Sequence, residues 1–581
     1  MTTTKQYDYL NRLLRISSVP SADAAVSFDY LYNDTNQRTR RTDPDSSYWL
    51  YEYDKLGQIT SAKHFWPEGT PVAGQQFEYA YDDIGNRTST KEGGDAAGAG
   101  LRSATYGANA LNQYTNRTVP GAADIIGIAH ASGTVEVNDQ STYRSGEYFL
   151  KELAVNNTSA AVWQGVTNIA WLAGTTNTNT GGIFLPKTPE VFRNDADGNL
   201  TNDGRFFYAW DAENRLLRVE SLSTSPTASK RKVEWTFDPR GRRIRQIASD
   251  GTSGSYVVTE DTKLVYNGWQ CLAELTGTNS AMLRTYHWGL DASGTRTGAG
   301  GIQGLLAIMS TNSGASFYAY DGNGNVAALI SATDGSKSAV YDYDPYGNTI
   351  RRTGLTADEN PYHASTKRDQ TAVGLTLYEY RQLRAGIGRW LSRDPIGEMG
   401  GKNLYSFVSN DPVAKCDPFG LADRPFEFSI DMGGCRSCEF VITVSWNVVP
   451  GGFADVKVAY TSETASPGCS ADFVGGGSGD YLDFGGPNAT VTEDNSGNPG
   501  APNPFPDPPL TRVPPPGINV WFDDDQGFGR PYIQLQNGFV IPYFDINLHH
   551  WVVCRCGDET KTEQMPVRIF GGHPSPGHPL P

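Results

Sequence analysis

The sequence predicts an all-β protein, built largely from repeated β-hairpins and followed by a separate β-rich C-terminal domain. Three observations lead to this fold class. The 581 residues include 30 Tyr, 24 Phe and 12 Trp, although only 38% of the chain is hydrophobic. Turn formers are abundant, with 64 Gly and 34 Pro, and aromatic strands joined by such turns are typical of β proteins. A short motif also recurs along the chain, as a repeat array of this length would require.

The repeated motif consists of an aromatic residue, Asp or Asn, two further residues, then Gly or Asn. Neighbouring copies start 21 to 28 residues apart. An aromatic strand, a turn rich in Asp, Asn and Gly, and a second strand together predict a β-hairpin, and stacked hairpins can share one buried surface. The copies begin at Tyr7, Tyr32, Tyr53, Tyr81, Trp210, Phe237, Tyr320 and Tyr343, and residues 194–201 are a variant.

The distribution of the motif predicts the domain boundaries. Repeats are expected over residues 1–105 and 192–340. Residues 106–191 lack the motif but alternate like strands, which predicts an inserted β-rich module with either a structural or a ligand-binding role. Residues 422–581 hold five of the seven Cys and carry 8 Lys and Arg against 19 Asp and Glu. This change in composition predicts a separate domain, interpreted as a β-sandwich with a long loop.

The motif and the segment from Tyr341 to Leu421 resemble the RHS/YD-repeat family. The segment contains YDYDPYGN and ends in LYEYRQLRAGIGRWLSRDPIGEMGGKNLYSFVSNDPVAKCDPFGL, which is similar to the RHS-associated core of that family. The resemblance implies that the hairpin ribbon winds into a cocoon-like shell, complete or partial. Such a shell encloses a variable C-terminal segment, often a toxin.

Two DPxG elements within this core carry the predicted chemistry. From the residues alone each is a turn, because Asp caps it, Pro presets φ and Gly accepts a positive φ. The resemblance implies self-cleavage between Leu421 and Ala422, with Asp394 and Asp417 acting as an aspartic-protease-like pair and Arg393 supporting the first carboxylate. Glu398 departs from the family pattern, away from the predicted cut. The remaining motif residues are Pro395, Gly397, Pro418 and Gly420.

Two neighbouring carboxylates suit a single-turnover peptide hydrolysis. Because two close carboxylates cannot both ionise easily, one keeps its proton. The ionised group can then activate water and the protonated group can supply a proton to the leaving nitrogen. A tethered substrate also needs little binding energy. Trp390, Tyr405 and Phe407 are expected to pack in the core rather than to act in catalysis.

The C-terminal cysteines leave three alternatives open: disulfides, free thiols or a zinc site. The weak zinc candidates are Cys435, Cys438, Cys554 and Cys556, and Cys469 makes the count odd. His549 and His550 are expected to pack or to face solvent, and residues 523–525 to form a solvated acidic turn. No cofactor is expected.

Charge and hydropathy limit the partners. A net charge of −16 disfavours nucleic acid as a partner of the shell. No apolar run is long enough to span a membrane, and no signal peptide is visible. The protein is therefore expected in the cytoplasm before export, and then outside or on the cell by a non-classical route. The expected partners are its own C-terminal segment as cargo and a second RHS-like chain or a secretion-system component.

The leading functional hypothesis is an RHS carrier that encloses its variable C-terminal domain and separates it by autoproteolysis. That domain would be a toxin or effector in intercellular competition. The alternative is a structural or cell-surface interaction protein, in which the repeats form a scaffold and the Cys-containing domain binds a partner. A third hypothesis is a truncated remnant without a closed cavity.

Overall fold

The computed structural model describes residues 1–10 and 12–421, together with the backbone of ten strands between residues 424 and 571. The chain divides into two compact units, one with most of residues 1–422 and the other with residues 423–581 together with residues 7–12 and 34–36. The described elements are β-strands, and the helices among them are all short 3-10 turns. The all-β prediction is confirmed.

The first sheet is a meander in which each strand lies beside the next one in sequence. Its ten consecutive strands are β1 (Thr2–Tyr7), β2 (Leu13–Val19), β3 (Val26–Tyr32), β4 (Arg38–Thr42), β5 (Tyr48–Tyr53), β6 (Ile59–Phe65), β7 (Pro71–Tyr81), β8 (Arg87–Gly93), β9 (Leu101–Ala108) and β10 (Tyr114–Arg117).

A small module interrupts this meander. The module comprises a three-stranded sheet, in the order β11-β15-β14, and a four-stranded sheet, in the order β13-β12-β16-β17. After it, the short strand β18 (Glu190–Val191) pairs with β10 and is the last strand of the first sheet. The module strands are β11 (Ala122–Ile128), β12 (Thr134–Val137), β13 (Gln140–Ser141), β14 (Tyr143–Ser145), β15 (Tyr148–Ala154), β16 (Val162–Leu172) and β17 (Thr175–Leu185).

The large sheet extends beyond residue 106, where the motif places the start of the inserted module. The hairpin of β9 and β10 belongs to the first sheet. Its turn is built like a repeat turn, because Asn109 Oδ1 accepts hydrogen bonds from the amides of Leu111 and Gln113, each at 3.0 Å. Asn109 and Asn112 fit the motif, but Ala108 stands where the motif has an aromatic residue, so the motif misses this copy.

The second sheet is a fourteen-stranded meander, β19 to β32 in sequence order. Its strands are β19 (Arg193–Asn194), β20 (Leu200–Asn202), β21 (Phe206–Trp210), β22 (Leu216–Ser221), β23 (Arg231–Phe237), β24 (Arg243–Asp250), β25 (Val257–Asn267), β26 (Gln270–Thr276), β27 (Met282–Trp288), β28 (Leu305–Ser310), β29 (Gly314–Tyr320), β30 (Val326–Ser331), β31 (Lys337–Tyr343) and β32 (Thr349–Thr353).

The core segment that follows is compact and poor in regular structure. A four-stranded sheet contains β33 (Arg368–Gln370), β34 (Leu375–Leu377), β35 (Gln382–Arg384) and β36 (Arg389–Trp390). Trp390, Tyr405 and Phe407 are buried as expected. Trp390 and Phe407 stack edge-on with Tyr378, with ring centroids 4.9–6.2 Å apart. The 3-10 turns are Thr227–Ser229, Ala364–Thr366, Ala385–Ile387, Gly397–Gly400 and Val408–Asn410.

The second unit contains two five-stranded sheets. Their strands are β37 (Arg424–Gly433), β38 (Arg436–Val449), β39 (Gly452–Ala465), β40 (Cys469–Gly476), β41 (Tyr481–Phe484), β42 (Thr490–Thr492), β43 (Ile518–Asp523), β44 (Arg530–Leu535), β45 (Phe544–Cys556) and β46 (Glu559–Gly571). The predictions for the side chains of this unit fall outside what the structure describes. These predictions concern Cys435, Cys438, Cys469, Cys554, Cys556, His549, His550 and residues 523–525.

The Asp of the repeat motif builds the hairpin turn. Asp54 Oδ1 accepts hydrogen bonds from the amides of Leu56 and Gln58, each at 2.9 Å. Gly57 lies between them with φ +80°, a conformation that Gly adopts without steric cost. The same pair of amide bonds recurs at Asp82, Asp211, Asp238, Asp321 and Asp344.

The aromatic residue of the motif joins consecutive hairpins. The Tyr53 hydroxyl donates to the Arg38 carbonyl at 2.7 Å, and the Tyr343 hydroxyl donates to the Val326 carbonyl at 2.8 Å. Each acceptor is the first residue of the strand that follows the preceding turn. The motif aromatics Tyr32, Trp210 and Tyr320 make equivalent bonds to Leu13, Leu200 and Leu305. In these five copies the motif aromatic therefore binds the hairpin to the one before it.

Replacing Tyr343 by Phe should isolate the contribution of this bond. The ring would keep its packing, but the buried Val326 carbonyl would lose a donor, so the free energy of unfolding should fall by about 1 kcal/mol. Urea unfolding followed by tryptophan fluorescence measures this change. Tyr9, which is 93% exposed, provides the matched Tyr→Phe control. Equal stability of the two variants would contradict the interlocking role.

Candidate active site

The candidate site is built on DPxG turns, of which the sequence contains four. They begin at Asp238, Asp344, Asp394 and Asp417. In all four, Oδ1 of the Asp accepts a hydrogen bond from the amide two residues later, at 2.8–3.1 Å. The turn interpretation of the element is therefore correct at the level of the backbone, and what surrounds each turn distinguishes the four copies.

Asp417 organises the backbone that leads to the predicted cut. Its Oδ1 accepts hydrogen bonds from the amides of Phe419, Gly420 and Leu421 at 3.1, 2.7 and 2.8 Å. Gly420 has φ +85°, which an L-residue adopts only with strain. Leu421 is buried. The three amides fix the orientation of the last peptide units before residue 422.

Arg381 connects the two predicted catalytic carboxylates. One guanidinium nitrogen, Nη2, lies 2.7 Å from Asp394 Oδ2 and 3.4 Å from Asp417 Oδ2. Nε of Arg381 donates to the Gly420 carbonyl, and its Cζ lies 4.3 Å from the centre of the Trp390 ring. Because Asp394 and Asp417 contact the same nitrogen, they are neighbours, as an acting pair requires.

Burial dominates the electrostatics of this trio. Asp417, Asp394 and Arg381 are 3%, 6% and 1% exposed. Desolvation raises the pKa of Asp417 to about 6, against the opposing effect of Arg381 and the three amides. Desolvation also lowers the pKa of Arg381, against the opposing effect of both carboxylates. Two acids around one buried cation favour the retention of one proton.

A second buried cation holds the other side of the same segment. Lys367 Nζ donates to the Pro418 carbonyl at 2.6 Å and to the Gly300 carbonyl at 2.9 Å. It also pairs with both carboxylate oxygens of Glu379, at 2.9 and 2.8 Å. Gly300 has φ +59°, and a Cβ there would overlap the Pro418 oxygen. The DPFGL segment is thus held by side chains from two directions.

A cavity of about 470 Å³ reaches the Asp417 side of the site. Arg381 and Asp417 line it, together with Lys415, the exposed Cys416 and Asn410. The cavity is large enough to hold water. A hydrolytic water therefore has a route to the Asp417 carboxylate.

The structure brings together most of the residues predicted from the sequence. Arg393 packs against Gly198, and the cation between the two carboxylates is Arg381, which the sequence analysis missed. Lys367 was missed as well, because an isolated Lys far from the DPxG elements carries no local signal. Gly397 has φ +63° and Pro395 is exposed. Ala422 lies outside the described residues.

Comparison with known proteins agrees with this architecture. The family model described as RHS Repeat matches residues 32–71. The toxin subunit YenC2 of Yersinia entomophaga is 23% identical over 72% of this chain and 42% of its own length. The probable deoxyribonuclease RhsA of Dickeya dadantii is 22% identical over 73% of this chain and 26% of its own. These matches support the assignment of this chain as an RHS/YD-repeat protein.

A further relative of this RHS-repeat chain is also named as a nuclease. The tRNA3(Ser)-specific nuclease WapA of Bacillus spizizenii is 27% identical over 39% of this chain and 9% of its own length. The chain spans less than half the length of each of these three relatives. Among solved structures, TcdB2-TccC3 without its hypervariable C-terminal region matches with a TM-score of 0.35 and 16% identity, over 72% of this chain and 20% of that one.

Two further observations concern ligands and membranes. Among the described residues, no group of three or more His, Cys, Asp or Glu is placed to hold a metal ion. None of the described helices is long and apolar enough to cross a membrane.

Proposed function

We propose that this RHS-repeat chain is a self-processing carrier that cuts its own backbone between Leu421 and Ala422. The cut separates residues 422–581, a cargo with a toxic activity, from the repeat shell that encloses it. The observation that carries the proposal is the buried trio of Asp394, Asp417 and Arg381 beside the segment to be cut. The names of the relatives, a toxin subunit and nucleases, support the toxic nature of the cargo.

The proposed chemistry assigns a different role to each carboxylate. Asp394, which lies closer to Arg381, is the ionised base and removes a proton from water. The water oxygen attacks the Leu421 carbonyl carbon, and the C–N bond to Ala422 breaks. Asp417, whose protonated form is favoured by burial, donates its proton to the Ala422 nitrogen. The products are a carboxyl group on Leu421 and an amine on Ala422, and the reaction occurs once per chain.

Intact mass measurement of the purified full chain tests the proposal. The wild type should yield a fragment whose N-terminal sequencing begins at Ala422, whereas Asp394→Asn and Asp417→Asn should remain uncut. Asp344→Asn is the matched control, since Asp344 begins a DPxG turn outside the site and burial raises its pKa to about 6 as well. An intact wild type would refute self-cleavage, and a cut in the Asp417→Asn variant would refute the role assigned to Asp417. A fragment that begins at Pro418 would indicate acid breakage of the Asp-Pro bond.

The cleavage rate should depend on pH through Asp417. Its pKa of about 6 lies above the ordinary value of 3.8, so the required protonated form is present below pH 6 and is lost above it. The rate should therefore fall about tenfold per pH unit above about pH 6. Full-length chain refolded from urea at different pH values, with the cut fraction normalised to the folded fraction, gives the profile. A rate that rises through pH 6 would make Asp417 the base instead.

The same titration affects stability. Between pH 3.8 and about 6 the folded chain binds a proton on Asp417 that the unfolded chain releases. The contribution of Asp417 to stability is therefore complete below this window and declines as the pH rises through it. The uncut Asp394→Asn variant allows this trend to be measured separately from cleavage.

A scaffold function is the second candidate. The Asp344 turn favours it, because it makes the same backbone bonds as the other DPxG turns and so shows that the element can serve structure alone. In that case residues 422–581 bind a partner, and the chain stays intact. Expression of residues 422–581 in bacteria separates the two candidates, since growth inhibition is expected only for a toxic cargo.

A further inference from the structure

The inserted module exposes an unusually long strand edge. β17 is the last strand of its sheet, and β16 is its neighbour within that sheet. Its eleven residues pair with β16 in unbroken register from Leu185 to Thr175. Residues 175–181 are all exposed. The backbone N–H and C=O groups on the outer side of such an edge strand are available for pairing with another strand.

This edge lacks the features by which proteins block strand addition. Natural edges are protected by charged side chains, by Pro, by bulges or by being very short. In residues 1–421 the other sheet edges have such protection. Strand β1 carries Lys5, β32 carries Arg351 and Arg352, and β11 carries Asp124; β13, β14, β18, β19, β33 and β36 are two or three residues long. The β17 sequence TTNTNTGGIFL contains neither a charge nor a Pro.

The exposed sequence is also a palindrome. Residues 176–180 are Thr-Asn-Thr-Asn-Thr and have the same sequence in both directions about Thr178. An antiparallel copy of the strand centred on Thr178 would place Thr176 opposite Thr180 and Asn177 opposite Asn179. Such a strand would form Thr–Thr pairs, which stabilise sheets, and no like charges would face each other. A two-fold axis makes every one of these contacts twice.

We propose that two copies of this chain pair through β17, antiparallel and with the two-fold axis at Thr178. The two four-stranded module sheets would then become one continuous eight-stranded sheet. The occupant of the edge is a second copy rather than an unrelated strand. Because the sequence is palindromic, an antiparallel copy pairs each Thr with a Thr and each Asn with an Asn. This inference is independent of self-cleavage.

Cysteine cross-linking tests the axis directly. Directly opposed residues of antiparallel strands have Cα atoms about 4.5–5.5 Å apart, within the range that a disulfide spans. Thr178→Cys should therefore form an intermolecular disulfide with its own copy, identified by mass spectrometry of the non-reduced peptide. Thr176→Cys is the matched control, because its expected partner is Thr180. It should cross-link about ten times less, and the Thr176→Cys, Thr180→Cys double variant should restore the link. Both single variants are made with Cys416→Ser, since Cys416 is exposed.

A charge on the axis gives the second test. Thr178→Lys would oppose two ammonium groups and should raise the dimer dissociation constant by at least about tenfold in sedimentation equilibrium. Ser141→Lys, on the opposite edge strand β13 of the same sheet, should leave it unchanged. A monomeric wild type at all concentrations would overturn the proposal. Equal cross-linking of Thr176→Cys and Thr178→Cys would overturn it as well.

Discussion

Arg381→Met is expected to abolish cleavage and to destabilise the repeat unit by about 3–5 kcal/mol. The Arg381 guanidinium is 1% exposed and lies between Asp394 and Asp417. Its removal would leave two buried carboxylates without their cation and the Gly420 carbonyl without a donor. Met preserves much of the side-chain volume, so the loss reports charge and hydrogen bonding rather than a cavity. Urea unfolding and intact mass measure the two effects.

Two controls distinguish the loss of the Arg381 ion pairs from a general disruption of the core. Arg393→Met removes the cation that the family resemblance places beside Asp394. This change should lower the free energy of unfolding much less than Arg381→Met does, because Arg393 is only half-buried. Adding Asp394→Asn and Asp417→Asn to Arg381→Met should recover part of the lost stability, since neutral amides carry no buried charge. If Arg393→Met proves the more damaging change, the assignment of the central cation to Arg381 is wrong.

The repeat fold could be predicted because its determinants are local. The Asp that caps each turn, the residue with positive φ and the aromatic that bonds to the previous hairpin all lie within one motif. Asp54 and Tyr53 illustrate this, since each has its partner within about one hairpin of sequence. The copy at Asn109 escaped detection because Ala108 stands in place of the motif's aromatic residue, although the turn geometry is the same.

The candidate site could be predicted only in part, because some of its residues come together from distant parts of the sequence. The DPxG pattern alone indicates turns, and Asp394 and Asp417 were singled out as a pair by the family resemblance. Arg381 and Lys367 meet them only through tertiary packing, with Lys367 bonded to Pro418, fifty-one residues away. Nothing in the flanking residues distinguishes these two cations from the other Lys and Arg residues. The resemblance therefore pointed to the two acids, and nothing in the sequence pointed to the cations beside them.

Lys367→Met is expected to release the DPFGL segment and thereby slow cleavage, while also destabilising the chain by about 3–5 kcal/mol. Lys367 is 3% exposed, and its ammonium group bonds to Pro418, Gly300 and Glu379 at the same time. Without it, the Glu379 carboxylate is left unpaired in a largely buried place, and the Pro418 carbonyl loses a donor. The cleavage rate of refolded chain and urea unfolding measure the two effects.

Glu379→Gln distinguishes the anchoring of the segment from the ion pair. This variant removes the charge of the partner but leaves Lys367 bonded to the Pro418 carbonyl, so cleavage should persist at near the wild-type rate although stability falls. Lys367→Met with Glu379→Gln should regain stability, because no unpaired charge remains, and yet stay slow in cleavage. If the double variant cleaves as fast as the wild type, Lys367 stabilises the fold without positioning the scissile segment, and the orientation of Leu421 then depends on Asp417 and Arg381 alone.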